Sequence, residues 1–568
     1  MKLLELAKNR CIVFCEETTL HGWNYIVKVD GIIRKMIWMI AMLVCYGFAA
    51  FIIFSLSNTY QESTTSTSIK TSTANMSDVP FPSIHICSEN QVTASFLRKL
   101  GFNKTSPQTN ALYHEYIFGT PKGHESIKAK ENEYIGELQE QMKLSYDWHD
   151  NILVKRISSQ VCPDQIIFVN YQQKQKQFYN SYKSTATFGS CCFIQPYLDL
   201  IEQMDYSIDV FPADKMSTIP KGIQQGHDDG LKVLLDFEMF DYAFRKASTG
   251  FSIFVGNPLD KNRVDEEGTS VSPGMETFIG LSFSNTQATR PVIEKLTPQR
   301  RNCFDDGEID LPILTHELGY RYSMGNCQYE AGVQAVISNC NCIPTFFVEP
   351  FNFQGISNTD LQICHGKDLT CMEFQMNVVE GNLTLLVHDL KNNGKLIQIQ
   401  CLSNCDHQVI SINTSVRKYP NKLAFEQTTH ICFALKKITR ICQDETKKAL
   451  FLESYQNEVS CEQILEAERD DKDYNCSSFI STPALLKKNS NLTSFLFKYA
   501  EENFAYVKVF SKFPYHTKIQ MSLEMNEIQF ISNLGGLLGL LMGLSIISLF
   551  ELIYHVCDDF ICILSNAK

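Results

Sequence analysis

The chain has 568 residues, 63 acidic side chains against 51 Lys and Arg, and a net charge of −12. That length is enough for several domains, and the acidic balance excludes a partner held mainly through its phosphates, such as nucleic acid. Hydrophobic residues make up 44%, an ordinary share for folded protein, so most of the mass belongs outside a bilayer.

Residues 1–35 read as a cytosolic segment. They carry Lys2, Lys8, Arg10, Lys28, Arg34 and Lys35, and contain Thr18-Thr19-Leu20-His21-Gly22-Trp23. On its own, His21-Gly22 is a helix stop. Residues 36–56 are 21 residues without a charge. That is long enough to cross a bilayer and too long for a signal-peptide core. No Lys or Arg follows until Lys70, so the positive-inside rule puts the N-terminus in the cytosol. Residues 57–77 are rich in Ser and Thr and read as a linker. Residues 80–87 alternate like a strand.

Residues 57–527 then lie outside the cell. All six Asn-x-Ser/Thr sites fall there, at Asn75, Asn103, Asn382, Asn413, Asn475 and Asn491, as glycosylation requires. Sixteen of the 21 cysteines fall there too, an even number suited to a disulfide framework. Residues 91–100 and 131–150 look helical, and 186–193 and 250–255 look extended. The acidic runs at Asp228-Asp229, Asp265-Glu266-Glu267 and Asp305-Asp306 read as solvated loops. Residues 418–504 form a cysteine-containing insertion with Cys432, Cys442, Cys461 and Cys476. Within it, 431–452 and 461–469 read as helices tied by two local bridges. The insertion is either decoration held by those bridges or a docking surface. Alternation returns at 505–522, as in a strand.

The second apolar stretch, 528–550, has 23 uncharged residues followed by Glu551. It carries Ser532, Gly535, Gly536, Gly539, Gly543, Ser545 and Ser548. On a helix, Gly535, Gly539 and Gly543 share a face that lets helices approach closely. Ser545, Ser548 and Glu551 lie nearly opposite. A straight helix cannot turn both sets toward one axis, whereas a break at Gly543-Leu544-Ser545 can. Broken backbone at membrane depth needs protein or a watery pore around it, and Glu551 at the inner end marks a cation path. Residues 554–568 are a cytosolic tail, where Cys557 and Cys562 are open to palmitoylation. Cys11 and Cys15 have a metal-like spacing but no second pair, so no metal site is expected. No Gly-x-Ser-x-Gly, Walker loop or His-Glu-x-x-His occurs, so no catalytic residues, cofactor or enzyme activity are expected.

Together, His21-Gly22 before the first span, Phe81-Pro82-Ser83-Ile84-His85-Ile86-Cys87 after it, and a Gly-rich second span ending in Gly543-Leu544-Ser545 and Ser548-Leu549-Phe550-Glu551 resemble the degenerin/epithelial sodium channel family. The likeness covers nearly the whole chain. It is greater to the invertebrate pickpocket-like and peptide-gated branches than to the proton-sensing one. It implies an α+β membrane protein with transmembrane helices at 36–56 and 528–553. Between them it implies a large disulfide-rich extracellular domain of palm, ball, finger, thumb and knuckle, and a trimeric channel.

The function it implies is a sodium-preferring, amiloride-sensitive cation channel opened by an extracellular ligand, a peptide among the candidates, or by mechanical force. The alternatives are a proton-gated member and a two-span, non-conducting scavenger or adhesion receptor. The expected partners are related subunits in a homo- or heterotrimer, membrane lipid, and an extracellular peptide or matrix ligand. Na⁺ is the transported ion. The expected location is the plasma membrane, multi-pass, with both termini cytosolic.

By the same resemblance, Gly543, Leu544 and Ser545 match the selectivity belt, Leu544 being larger than usual there. Glu551 matches an inner-pore acid, and His21-Gly22 a loop that braces the lower pore. Ser532 matches the gate position that must stay small, Gly539 the amiloride position and Asn533 the outer mouth. The implied disulfides are Cys303–Cys405, Cys327–Cys401, Cys340–Cys371 and Cys342–Cys364. A further rung is replaced by Ala331 and Ile399. Cys87 pairs with Cys191 or Cys192, leaving the other for Cys162, with a bridge between the adjacent Cys191 and Cys192 as the alternative.

Overall fold

An uncharged run in lipid satisfies its backbone polar groups only by forming a helix, and residues 36–56 lie within one. The computed structural model describes residues 11–99, 164–194, 222–314, 321–344, 352–364, 371–376, 385–469 and 490–566, each range with internal gaps of six residues or fewer. The helix expected over 131–150 and the cysteines Cys162 and Cys476 lie outside the described residues. The chain divides into two compact units: residues 1–68, 288–301 and 520–568, and residues 69–287 with 302–519.

The first unit includes the helices α1 (Trp23–Lys28), α2 (Ile32–Glu62), α3 (Glu527–Met542) and α4 (Ile546–Asn566). Among the described residues, α2 alone is long and apolar enough to cross a membrane by itself. Its 31 residues extend about 46 Å at the rise of an α-helix, against a hydrocarbon core of about 30 Å. It therefore runs through the start of the expected linker to Glu62. There Thr59 Oγ1 donates to Ser55 O at 2.9 Å, and Tyr60 stacks on Phe530 of α3. The remainder of that stretch is not a linker either. Thr65–Asn75 is a strand paired with Tyr515–Leu523. Threonine's β-branching suits a strand, but a run without apolar alternation hid it.

α3 starts where Asn526 closes a capping box. Asn526 Oδ1 accepts from Gln529 N at 2.8 Å, and Gln529 Oε1 accepts from Asn526 N at 3.0 Å. Taken together, α3 and residues 546–557 of α4 also meet the test for a span, bent by 67° at their break. Two short helices, Arg290–Lys295 and Pro298–Arg301, join this unit. Lys295 Nζ pairs with Glu527 Oε1 at 2.5 Å, and the Arg300 guanidinium donates to Gln61 O.

The second unit is organised on an eight-stranded sheet. Its order is Thr65–Asn75, Tyr515–Leu523, Met275–Ala288, Phe504–Ser511, Leu231–Asp236, Ile166–Tyr171 and Lys174–Gln175, with His407–Lys418 also paired to Met275–Ala288. The single strand expected over 505–522 is thus two, interrupted around Pro514, which cannot donate to a ladder. A five-stranded sheet includes Ser83–Ser88, and its apolar residues share one core with the larger sheet, including Phe81, Ile84, Ile253, Leu281 and Val507. The extended stretch near 186–193 is an antiparallel pair, Tyr182–Ala186 and Gly189–Ile194.

A second core lies around the helix Met324–Cys340 and the strands Leu385–Asp389 and Lys395–Ile399. The bonds Cys303–Cys405, Cys327–Cys401, Cys340–Cys371 and Cys342–Cys364 are formed in this part of the chain. Ala331 and Ile399 are buried in its apolar core. Cys87 bonds Cys191, and Cys192 is in a separate disulfide.

The 418–504 insertion packs onto the large sheet. Phe425, Ile438, Phe451 and Tyr499 form a third core that reaches Leu234 and Phe504 of the large sheet. Cys442–Cys461 is formed, and Cys432 is also disulfide-bonded. The helix expected over 431–452 is two, Thr429–Gln443 and Glu445–Ser454. Asp444 separates them and caps the second, accepting from Thr446 N at 2.9 Å and Lys447 N at 3.1 Å.

Candidate functional site

The break between α3 and α4 gathers several of the residues singled out in the sequence. Gly543 ends α3 with φ +70°, a left-handed conformation that costs other residues about 1–2 kcal/mol. A Cβ there would stand 2.7 Å from His21 Cδ2, so the close approach demands glycine as well. In return, His21 N donates to Met542 O at 3.0 Å. That bond satisfies a last-turn carbonyl left without a partner in its own helix.

The His21-Gly22 turn is pinned on its other side by α2. Gly22 has φ +90°, and a Cβ would come within 2.8 Å of Met42. Trp23 Nε1 donates to Tyr46 Oη at 2.9 Å, and Tyr25 stacks on Trp38.

α4 restarts because Ser545 caps it. Ser548 N donates to Ser545 Oγ at 3.1 Å, and Ser545 N donates to Ser548 Oγ at 3.2 Å. Ser548, only 3% exposed, also lies 2.8 Å from Thr19 Oγ1. Thr19 donates both its N–H (3.1 Å) and its hydroxyl (3.0 Å) to Glu551 Oε2. Glu551 therefore meets an uncharged residue here.

His21, Gly22, Gly543, Ser545 and Glu551 are thus brought together around one break, with Leu544 inside it. Ser532 and Asn533 are not. They sit exposed on α3, Ser532 about 16 Å before Gly543 at the helical rise. Gly539 lies one turn before Gly543, with Leu544 O 3.8 Å from where its Cβ would be. Gly535 and Gly536 face open space. In the sequence, Thr19 is only a flank of the His-Gly pair. The available signal for the restart was Ser545-x-x-Ser548, a capping pattern.

Elsewhere, Asn75, Asn413 and Asn491 are exposed, while Asn103, Asn382 and Asn475 lie outside the described residues. His85 is buried against Phe254. Among the described residues no cluster of His, Cys, Asp and Glu has the arrangement of a metal site.

The acidic runs at Asp228-Asp229, Asp265-Glu266-Glu267 and Asp305-Asp306 read in the sequence as solvated loops. The structure places a different set at the end of Leu231–Asp236. Glu238, 1% exposed and left-handed at φ +46°, is clamped by Lys437 and Lys447, each at 2.9 Å. Burial penalises its charge, but the two lysines outweigh that and hold its pKa below the ordinary value. Asp236 is pushed up to about 6, chiefly by burial, against the pull of Lys437 at 3.9 Å. Asp241 is pushed up to about 7, first by burial and then by Glu238, against hydrogen bonds from Ser95. Ser95 N and Oγ both donate to it at 2.6 Å. Nothing in the local sequence Asp236-Phe237-Glu238 announced this, because the lysines come from the insertion about 200 residues later.

A family model described as the amiloride-sensitive sodium channel matches residues 14–555. The chain belongs to that family. It is a family of ion channels, not a class of enzyme, and its match spans the loop before α2, both units and the broken helix pair. Pickpocket protein 28 of Drosophila melanogaster is 23% identical over 97% of this chain and 78% of its own length. The epithelial sodium channel subunit gamma of Pan troglodytes is 23% identical over 58% of this chain and 54% of its own. The gamma subunit of Pelodiscus sinensis is 27% identical over 23% and 18%.

Proposed function

We propose that this sodium-channel family member is a plasma-membrane subunit that passes Na⁺ in preference to other cations and is blocked by amiloride. The observation that carries the reading is the break at Gly543-Leu544-Ser545, fixed by His21 and lying about two turns before Glu551. A break in an apolar helix is useful at membrane depth where it lines a passage. In a trimer, the three copies would supply rings of Gly543 and Leu544 carbonyls and Ser545 hydroxyls to replace an ion's water, with Glu551 favouring cations beneath them. The open faces of Gly535 and Gly536 would admit neighbouring helices. Both termini are cytosolic on this reading, with 57–527 outside and the exposed sequons glycosylated. Ser532 would be the gate, and Gly539 and Asn533 the blocker site and outer mouth.

The stimulus we favour is an extracellular ligand, a peptide or matrix component among the candidates, ahead of mechanical force. Supporting a ligand is a cavity of about 610 Å³ whose lining includes Asn285, Asn404 and Gln408. Asn285 Oδ1, Asn404 Oδ1 and Gln408 Nε2 are buried without a hydrogen-bond partner, groups a ligand could satisfy. A second reading, proton gating, is favoured by Asp236 and Asp241 with pKa values near 6 and 7.

The test is whole-cell recording of Ser532→Phe, where bulk should prop the gate open. A standing current that falls when sodium is replaced and when amiloride is added is expected. A surface-expressed protein that stays silent overturns the reading of this chain as a self-sufficient channel. Stepping the wild type from pH 7.4 to 5.5 separates the stimuli: a transient sodium current at the step selects protons, and its absence removes them.

A further inference from the structure

The hydroxyls at the break can be counted hydrogen by hydrogen. Thr19 Oγ1 has one hydrogen and two neighbours, Glu551 Oε2 at 3.0 Å and Ser548 Oγ at 2.8 Å. A carboxylate only accepts, and a hydrogen bond to it is about twice as strong as a neutral one. Thr19 therefore donates to Glu551. The short contact to Ser548 then requires Ser548 to donate to Thr19. Ser548 also has one hydrogen and a competing acceptor, Gly543 O, at the longer distance of 3.3 Å. Spent on Thr19, that hydrogen is unavailable to Gly543. Ser545 Oγ, 3.1 Å from Ser548 Oγ, completes the series by donating to Ser548. All three hydroxyls point the same way, Ser545 to Ser548 to Thr19 to Glu551, and each bond in such a chain strengthens the next.

We propose that Thr19, a residue of the N-terminal segment and not of the broken helix, is a positioning residue for cation selection. Its hydroxyl draws the Ser548 hydrogen toward Glu551 and so leaves the Gly543 carbonyl free. The same polarity turns the Ser545 hydrogen inward and leaves its oxygen lone pair for a cation. Without the Thr19 hydroxyl, Ser548 turns its hydrogen onto Gly543 O and withdraws that oxygen from the ion. This inference rests on the break being the ion pathway. It adds the group that sets the proton order there.

Thr19→Val keeps the side-chain shape and the backbone N–H to Glu551 while removing the hydroxyl. Thr19→Ser keeps the hydroxyl. Both are made in the conducting Ser532→Phe protein, with and without Ser548→Ala. The sodium-to-potassium permeability ratio is read from reversal potentials, and surface amount from biotinylation. For Thr19→Val the ratio should fall about three- to tenfold, the worth of one net hydrogen bond, at unchanged surface amount. Thr19→Ser should match the parent. In the Ser548→Ala background, Thr19→Val should have no further effect on the ratio, because no hydroxyl remains to capture Gly543 O. A conducting Thr19→Val protein with the parent ratio overturns the proposal alone. An equal loss in the Ser548→Ala background overturns the route through Ser548. Silence of a surface-expressed Ser532→Phe parent overturns the self-sufficient pore on which this inference rests, and the inference with it.

Discussion

Among the described residues, the helix breaks at Asp444 and at Gly543 rest on different chemistry. Around Asp444 the break is local. The aspartate stays in extended conformation and caps the helix that follows it, so the interruption is satisfied within four residues. Around Gly543 the break is not self-sufficient. Its glycine is left-handed, its final carbonyl is bonded by His21, and the restarted helix is held by Thr19. The first break serves packing: it lets Ile441 and Leu450 both turn into one core and delivers Lys447 to Glu238. The second serves a site, because its geometry exists only while another segment of the chain is in place. Failure of the first should be read as lost stability, and failure of the second as lost function.

Four substitutions would break or sharpen that contrast. Lys447→Met should do most harm to the fold. It leaves Glu238 buried with a single lysine, and loss of one partner from a buried pair costs about 3–5 kcal/mol. A large drop in the unfolding midpoint of the purified protein is expected, and an unchanged midpoint would show that Lys437 suffices alone. Gly543→Ala should cost about 1–2 kcal/mol for the left-handed backbone, yet abolish or scramble selectivity by displacing His21. Retained sodium preference would show that the break tolerates a detached loop. Asp444→Ala should cost about 1 kcal/mol as a lost cap and leave permeability ratios untouched; altered ratios would erase the distinction between the two breaks.

The smallest effect is on pH dependence. Asp241 titrates near 7 in the folded chain and near 3.8 by reference, so between those values the folded state holds a proton that the unfolded state has released. Its contribution must therefore weaken the fold as pH rises from about 4 to about 7. Asp241→Asn, which still accepts from Ser95 N, should flatten that part of the profile in thermal melts at pH 5.5 and 7.5. An unchanged slope would assign it to Asp236 or Glu330, which are also raised by burial.

What could be read in the sequence followed the range of the forces involved. The opposed faces of Gly535-Gly539-Gly543 and Ser545-Ser548-Glu551 called for a break, because periodicity is a local property. The apolar run 36–56 called for a helix for the same reason. The strand Thr65–Asn75 was hidden because its partner Tyr515–Leu523 supplies the order that its own Ser/Thr composition does not display. The lysines that clamp Glu238 stand about 200 residues after it, beyond the reach of any local pattern. Thr19 had no local signature at all. Its significance is a hydrogen bond to a residue 532 positions away, and no pattern within the N-terminal segment encodes that distance.

The bond from His21 N to Met542 O has a consequence in time as well as in space. Its donor is translated 521 residues before its acceptor. At elongation rates of about 5–20 residues per second, that interval is about half a minute to nearly two minutes. Throughout it the His-Gly segment has no carbonyl to meet, even with α2 already made. Closure of the break therefore waits for α3, and a ribosome that stops between residues 519 and 542 leaves a chain whose second unit is fully encoded and whose site cannot form.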